Sequence, residues 1–265
     1  MKSGCISATT MERTTLHLWY AYPDDLLDDA AAQACARLLS DDERARWQRF
    51  KFEKHRREYL ATHALARIAL SHARAVSPEA WRFQLNRYGK PEIDPECGLR
   101  FNLSNSLGLV VCLISEGAEV GVDVESRARA GSIAEIGPRM FSLQEQAQLE
   151  SLPEPEKPER ALQLWTLKEA YIKARGMGLA LPLNQFSFLF ERDDQIRMAM
   201  DPALGDAPDR WTFCLIKHAD HCIALMVESR TIPPLTLWEA RPLLARPARL
   251  VGGEEHWFPV SAKLY

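Results

Sequence analysis

The 265-residue sequence predicts an α+β fold, a pseudo-dimer of two similar lobes, each a small antiparallel sheet packed with a long helix. The order strand, helix, hairpin, hairpin across residues 16–115 recurs across 119–227. The offsets agree: first strands start at 16 and 119, capping boxes at 40 and 142, and last hairpins at 101 and 211. No residue-level identity accompanies these offsets, so the repeat is one of pattern, and the competing explanation is an ordinary α+β domain with four hairpins. The expected division is a flexible N-terminus at 1–15, lobes at 16–118 and 119–230, and an extension at 231–265 packed on the surface.

Each element has a local reason. LHLWYAY (16–22) is rich in strand formers. Ser40-Asp41-Asp42-Glu43 has capping-box spacing and opens a charged helical pattern running towards residue 75. WRFQLNRYGKPEI (81–93) alternates about a Tyr-Gly-Lys-Pro turn, and RFNLSNSLGLVVCLIS (100–115) forms two runs about a polar break. In the second half, EVGVDVE (119–125) alternates as a strand, and Ser142-Leu143-Gln144-Glu145 starts another helix. A Pro/Glu-rich loop at 152–159 leads into ALQLWTLKEAYIKARG, a helix ended by Gly176. FSFLFERDDQIRM (186–198) and WTFCLIKHADHCIALMV (211–227) complete two further hairpins.

Composition narrows the function classes. With 46% hydrophobic residues the chain can bury a substantial core, and a net charge of −3 argues against a nucleic-acid coat or a polybasic membrane binder. The six cysteines (5, 35, 97, 112, 214, 222) include no C-x-x-C pair, so buried free thiols and a reducing cytoplasm are expected. The N-terminus is too polar for a signal peptide, and Met11 is an alternative start to Met1. The longest apolar run, 107–114, is too short to span a bilayer. P-loop, dinucleotide-fold, G-x-S-x-G and H-E-x-x-H motifs are absent.

Two segments could carry chemistry. In Gly121-Val122-Asp123-Val124-Glu125, strand alternation places Asp123 and Glu125 on one side and the valines on the core side. The competing explanation is a half-exposed strand with a wet acidic face. In Trp165–Lys173, Glu169 interrupts an apolar stripe formed with Trp165 and Ile172, and Lys173 follows at i+4. A surface Glu–Lys pair would explain that spacing too, but the flanking apolar residues leave little polar face. Three carboxylates without neighbouring Cys or His point to Mg²⁺, Mn²⁺ or Ca²⁺, and hence to a phosphate-bearing substrate. Residues 43–58 carry a local balance of +4, suited either to phosphate or simply to solvent. Lys90 lies on a tight turn, and Asn102, Ser104 and Asn105 would bond a ligand or cap a hairpin.

With RYGKPEI (87–93), FNLSNS (101–106), GVDVE (121–125) and WTLKEAYIKARGMGLALPL (165–183) in that order, the chain resembles the large, Sfp-type class of 4′-phosphopantetheinyl transferases over about residues 16–228. The resemblance implies two lobes with coenzyme A in the cleft. It also implies transfer of the phosphopantetheine arm to a serine of an apo acyl or peptidyl carrier protein, with release of adenosine 3′,5′-bisphosphate. By the same resemblance, Asp123, Glu125 and Glu169 hold Mg²⁺, Glu169 helps deprotonate the serine, and Lys173 serves the departing phosphate. Lys90, Ser104 and Arg46 match cofactor-phosphate positions, with Arg49 beside Arg46. Asn105 stands where the family commonly has His, which removes a potential positive charge. A monomer is expected, since one chain supplies both lobes. The competing functions are a non-enzymatic binding module using the basic segment 43–58 and a carboxylate-pair glycosidase.

Overall fold

The computed structural model describes residues 14–26, 29–192, 195–231, 233–240 and 249–250. The N-terminal half runs β1 (Leu16–Ala21), α1 (Asp29–Ala36), α2 (Asp41–Gln48), α3 (Glu53–Ala73), β2 (Phe83–Leu85), β3 (Pro91–Ile93), β4 (Leu99–Ser106) and β5 (Leu109–Glu116). The second half runs β6 (Val120–Ser126), α4 (Ala130–Ile136), α5 (Leu143–Glu150), α6 (Lys157–Arg175), β7 (Phe186–Arg192), β8 (Gln195–Met200), β9 (Trp211–His218) and β10 (His221–Glu228). β11 (Leu235–Glu239) and β12 (Arg249–Leu250) follow.

The strand order β1-β5-β4 in one sheet recurs as β6-β10-β9 in the other, and the β2–β3 and β7–β8 hairpins stand beside them. This is the expected pseudo-dimer. Each sheet buries the apolar face of one long helix. Leu60, Leu65 and Leu70 of α3 pack against Trp19, Val110 and Cys112. Leu164, Leu167 and Tyr171 of α6 pack with Phe186, Phe188 and Met226. A third core joins the halves, with Leu18 and Val111 of the first sheet meeting Val122, Val124 and Leu225 of the second.

The repeat extends to buried ion pairs. Both capping boxes form, at Ser40–Glu43 and Ser142–Glu145. Each box glutamate then anchors a buried cation of the long helix: Glu43 pairs with Arg67 at 2.7 Å, and Glu145 with Lys168 at 2.8 Å. One carboxylate thereby fixes a short helix to a long one in each half.

Several elements differ from expectation. The charged pattern from 40 towards 75 forms two helices, because Phe52 takes an extended conformation (φ −99°, ψ 126°) before α3. Only α3 has a buried face to hold it in place, whereas α2 has no buried residue. α6 begins at Lys157, inside the expected loop, since Pro158 in the first turn lacks only an N–H that would be unpaired anyway. Gly176 ends α6 in the left-handed conformation at φ 60°. The segment beyond 230 does more than cover the surface: β11 adds to β1 in parallel, and Trp238 stacks on Trp19.

No helix among the described residues is long and apolar enough to cross a membrane. Cys112 and Cys222 are buried free thiols as expected, Cys214 is half-buried, and burial raises the pKa of all three. The expected flexibility before residue 14 and the choice between Met1 and Met11 lie outside the described residues.

Candidate functional site at the junction of the two sheets

β4 and β6 are the facing edges of the two sheets. Side chains close the gap. Asn102 Oδ1 accepts from Val122 N–H at 2.8 Å, Ser104 Oγ from Val124 N–H at 3.2 Å, and Ser106 Oγ from Ser126 N–H at 3.2 Å. Polar side chains at every second position of β4 thus satisfy every second N–H of β6, as strand periodicity allows. The sequence left a ligand or a hairpin cap as the alternatives for Asn102, Ser104 and Asn105; in the structure Asn102 and Ser104, joined by Ser106, form the seam between the halves.

On the other face of β6, α6 approaches unusually closely. A Cβ on Gly121 would lie 2.0 Å from the Ala170 carbonyl oxygen and 2.4 Å from Ala174 N. This contact brings the α6 side chains over Asp123 and Glu125, which are only 4% and 5% exposed. A wet acidic strand face is therefore ruled out. Buried carboxylates require compensation, and it is present. Asp123 Oδ1 accepts from Lys173 Nζ at 2.6 Å and from Ser104 Oγ at 2.9 Å. Lys173 also donates to Ser104 Oγ at 2.8 Å. Glu125 accepts from Ser106 Oγ and from Trp165 Nε1, each at 3.1 Å, and from Arg129. Asp123 Oδ2 is buried without a partner among the described residues.

Glu169 sits one turn before Lys173 on α6 and is half-buried. Burial raises its pKa, the Asp123 charge adds to this, Lys173 opposes it, and Glu125 contributes further. Glu125 is also raised, first by burial and then by Asp123, with Arg129 opposing. The three expected carboxylates therefore share one electrostatic environment.

Among the described residues, no three His, Cys, Asp or Glu side chains are arranged to hold a metal ion as they stand. Internal cations take that role, with Lys173 on Asp123 and Arg129 on Glu125. The donor set nonetheless suits a hard divalent cation: carboxylate oxygens only, one of them buried and bare.

The expected phosphate ligands are distributed differently. Ser104 belongs to the cluster. Lys90 lies at its edge, donating to Glu119, the Val120 carbonyl and the Ala174 carbonyl at 3.1, 3.3 and 3.1 Å, so it clamps the β2–β3 hairpin to β6 and α6. Asn105 is exposed, on the opposite side of β4 from Ser104. Arg46 and Arg49 are exposed on and just after α2, with the Arg46 guanidinium 5.7 Å from the Tyr59 ring. Among the described residues, no hydrogen bond or ion pair links Arg46, Arg49 or Asn105 to the carboxylates. Ser106 and Arg129 were missed from the sequence. The serine–any–serine alternation of β4 signals Ser106, whereas nothing local marks Arg129.

Residues 119–226, which contain all three carboxylates and Lys173, match the family model "4'-phosphopantetheinyl transferase superfamily". The chain is 31% identical over 221 residues to the 4'-phosphopantetheinyl transferase HetI of a Nostoc species, covering 81% of this chain and 88% of that protein. The chain belongs to the 4′-phosphopantetheinyl transferase superfamily. It is also 28% identical to the 4'-phosphopantetheinyl transferase Sfp of Bacillus subtilis, covering 76% of this chain and 86% of that protein. These relatives support the Sfp-type class within the superfamily. For a phosphopantetheinyl transferase, the junction cluster places these acidic and basic residues together where the two sheets meet.

Proposed function

We propose that the chain transfers the 4′-phosphopantetheine arm of coenzyme A to a serine hydroxyl of an apo acyl or peptidyl carrier protein, releasing adenosine 3′,5′-bisphosphate. The observation that carries this reading is the buried Asp123–Glu125 pair beneath Lys173, in a chain of this superfamily. Asp123, Glu125 and Glu169 would hold Mg²⁺, with the bare Asp123 Oδ2 as the natural first ligand. The ion, when bound, supplies charge neutralisation on the pyrophosphate oxygens.

The chain's own residues do the rest. Glu169, on α6 one turn before Lys173, would accept the serine proton. Lys173 offers a positioned N–H donor and positive charge to the oxygen that leaves phosphorus. Ser104 orients Lys173 and Asp123 together. Exposed Arg46 and Arg49 suit the cofactor's 3′-phosphate, and Asn105 can donate or accept a hydrogen bond there. Lys90 would exchange its ion pair with Glu119 for a cofactor phosphate. In this reading the first lobe holds cofactor phosphates and the second holds metal and catalytic groups, in a cytoplasmic monomer. The test is to incubate the full chain with apo carrier proteins, coenzyme A and Mg²⁺, and to weigh the carriers by mass spectrometry. A phosphopantetheine mass gain that a chelator abolishes is expected. No gain on carriers from both fatty-acid and peptide-synthetase systems would overturn the proposal.

A further inference from the structure

Arg129 reaches the carboxylate cluster from the start of α4. Its Nη1 lies 2.7 Å from Oε1 and 2.6 Å from Oε2 of Glu125. The glutamate side chain is 7% exposed and the arginine side chain 44%, so a buried acceptor meets a donor that opens to solvent. Trp165 Nε1 occupies Oε1 and Ser106 Oγ occupies Oε2 as well. Each oxygen of Glu125 therefore already accepts two contacts, while among the described residues the buried Asp123 Oδ2 accepts none. The two carboxylates of β6 are unequally prepared for a cation.

The three partners of Glu125 differ in how they could yield. Trp165 lies on the long helix α6 and Ser106 in the strand seam, and both are neutral. Arg129 is charged, half-exposed and carried on a flexible stem. The Arg129 end of the pair opens to solvent, so a departing guanidinium regains hydration, while an incoming divalent ion takes over compensation of the buried carboxylate. Holding a guanidinium and a divalent cation on one carboxylate is repulsive. Lys173 is differently placed: it is 26% exposed and bonded to both Asp123 and Ser104. We propose that Arg129 is a resident counter-cation on Glu125, which a divalent ion displaces into solvent, and that it thereby sets the metal affinity of the site.

This inference rests on the metal reading above, and its test separates the two. Mn²⁺ is titrated into the full chain without coenzyme A, with free Mn²⁺ followed by electron paramagnetic resonance. R129A is expected to bind Mn²⁺ tighter by about fivefold, the equivalent of losing a competing pair worth about 1 kcal/mol. R129K, which keeps the charge and can set one nitrogen between both oxygens as Nη1 does, should stay near wild type. R129Q, neutral and of similar length, repeats the test should the alanine variant fail to fold. Unchanged or weaker binding by the neutral variants, with wild type binding normally, would overturn the role of Arg129. If wild type binds no Mn²⁺, or D123N binds it as wild type does, the metal reading itself fails and the proposal falls with it.

Discussion

Lys173 Nζ lies 2.6 Å from Asp123 Oδ1 across 50 positions of sequence, with Ser104 Oγ as the third corner of the triangle. One corner is on α6, one on β6 and one on β4, so the cluster depends on the join between the two halves. The pair holds a carboxylate only 6% exposed beside a second buried carboxylate. K173M alone is expected to destabilise the fold by roughly 3 kcal/mol, because it leaves a buried charge uncompensated. D123N/K173M should cost clearly less than the sum of its single variants. Urea unfolding of the four proteins measures this, and additive losses would refute the coupling.

The seam makes a separate claim. Ser106 donates to Glu125 and accepts from Ser126 N–H, so S106A removes one partner from each of two buried groups. A loss of about 1–3 kcal/mol is expected in chemical unfolding. A change of a few tenths would mean that the β4–β6 contacts are not structural.

Gly121 tests the approach of helix to strand. With backbone atoms of Ala170 and Ala174 at 2.0 and 2.4 Å from a built Cβ, no side chain can move aside to make room. G121A should therefore push α6 away from β6, costing roughly 3 kcal/mol or more and separating Lys173 from Asp123. Stable, fully active G121A protein would contradict the packing described.

Glu43 gives a pH prediction. Burial acts to raise its pKa, but the His63 hydrogen bond, the Arg67 charge and the Ser40 backbone hydrogen bond outweigh this and hold it at about 2. A depressed carboxylate pKa stabilises the fold above the ordinary range and loses that contribution as pH falls towards about 2. E43Q should thus be less stable than wild type near neutrality, by about 1–2 kcal/mol after allowance for solvent screening. The difference should shrink with acidification below about pH 4.5. Acid titration of thermal stability checks it, and a gap that widens on acidification would contradict the sign.

The pseudo-dimer was legible because strand alternation and capping boxes are local signals that recur at matched offsets. Asp123 and Glu125 were legible as two carboxylates on one face of a strand, and Glu169 as a break in an apolar helical stripe. Apart from Arg129, four residues from Glu125, what escaped depends on contacts distant in sequence. Nothing near Glu43 or Glu145 announces Arg67 or Lys168. The break at Phe52 reflects which helix finds a buried face, and β11 is a strand because β1 offers it an open edge. Lys90 looked like an exposed turn lysine, yet two of its three bonds reach carbonyls of β6 and α6.

The proposed function assigns phosphopantetheinyl transfer to the carboxylate cluster at the β4–β6–α6 junction. The most direct measurement is the mass of an apo carrier protein after incubation with coenzyme A, Mg²⁺ and wild type, D123N or E169Q, each first shown to be folded by circular dichroism. A phosphopantetheine gain is expected with wild type, and a rate reduced at least about a hundredfold with either variant. Wild-type rates from folded D123N and E169Q would contradict it.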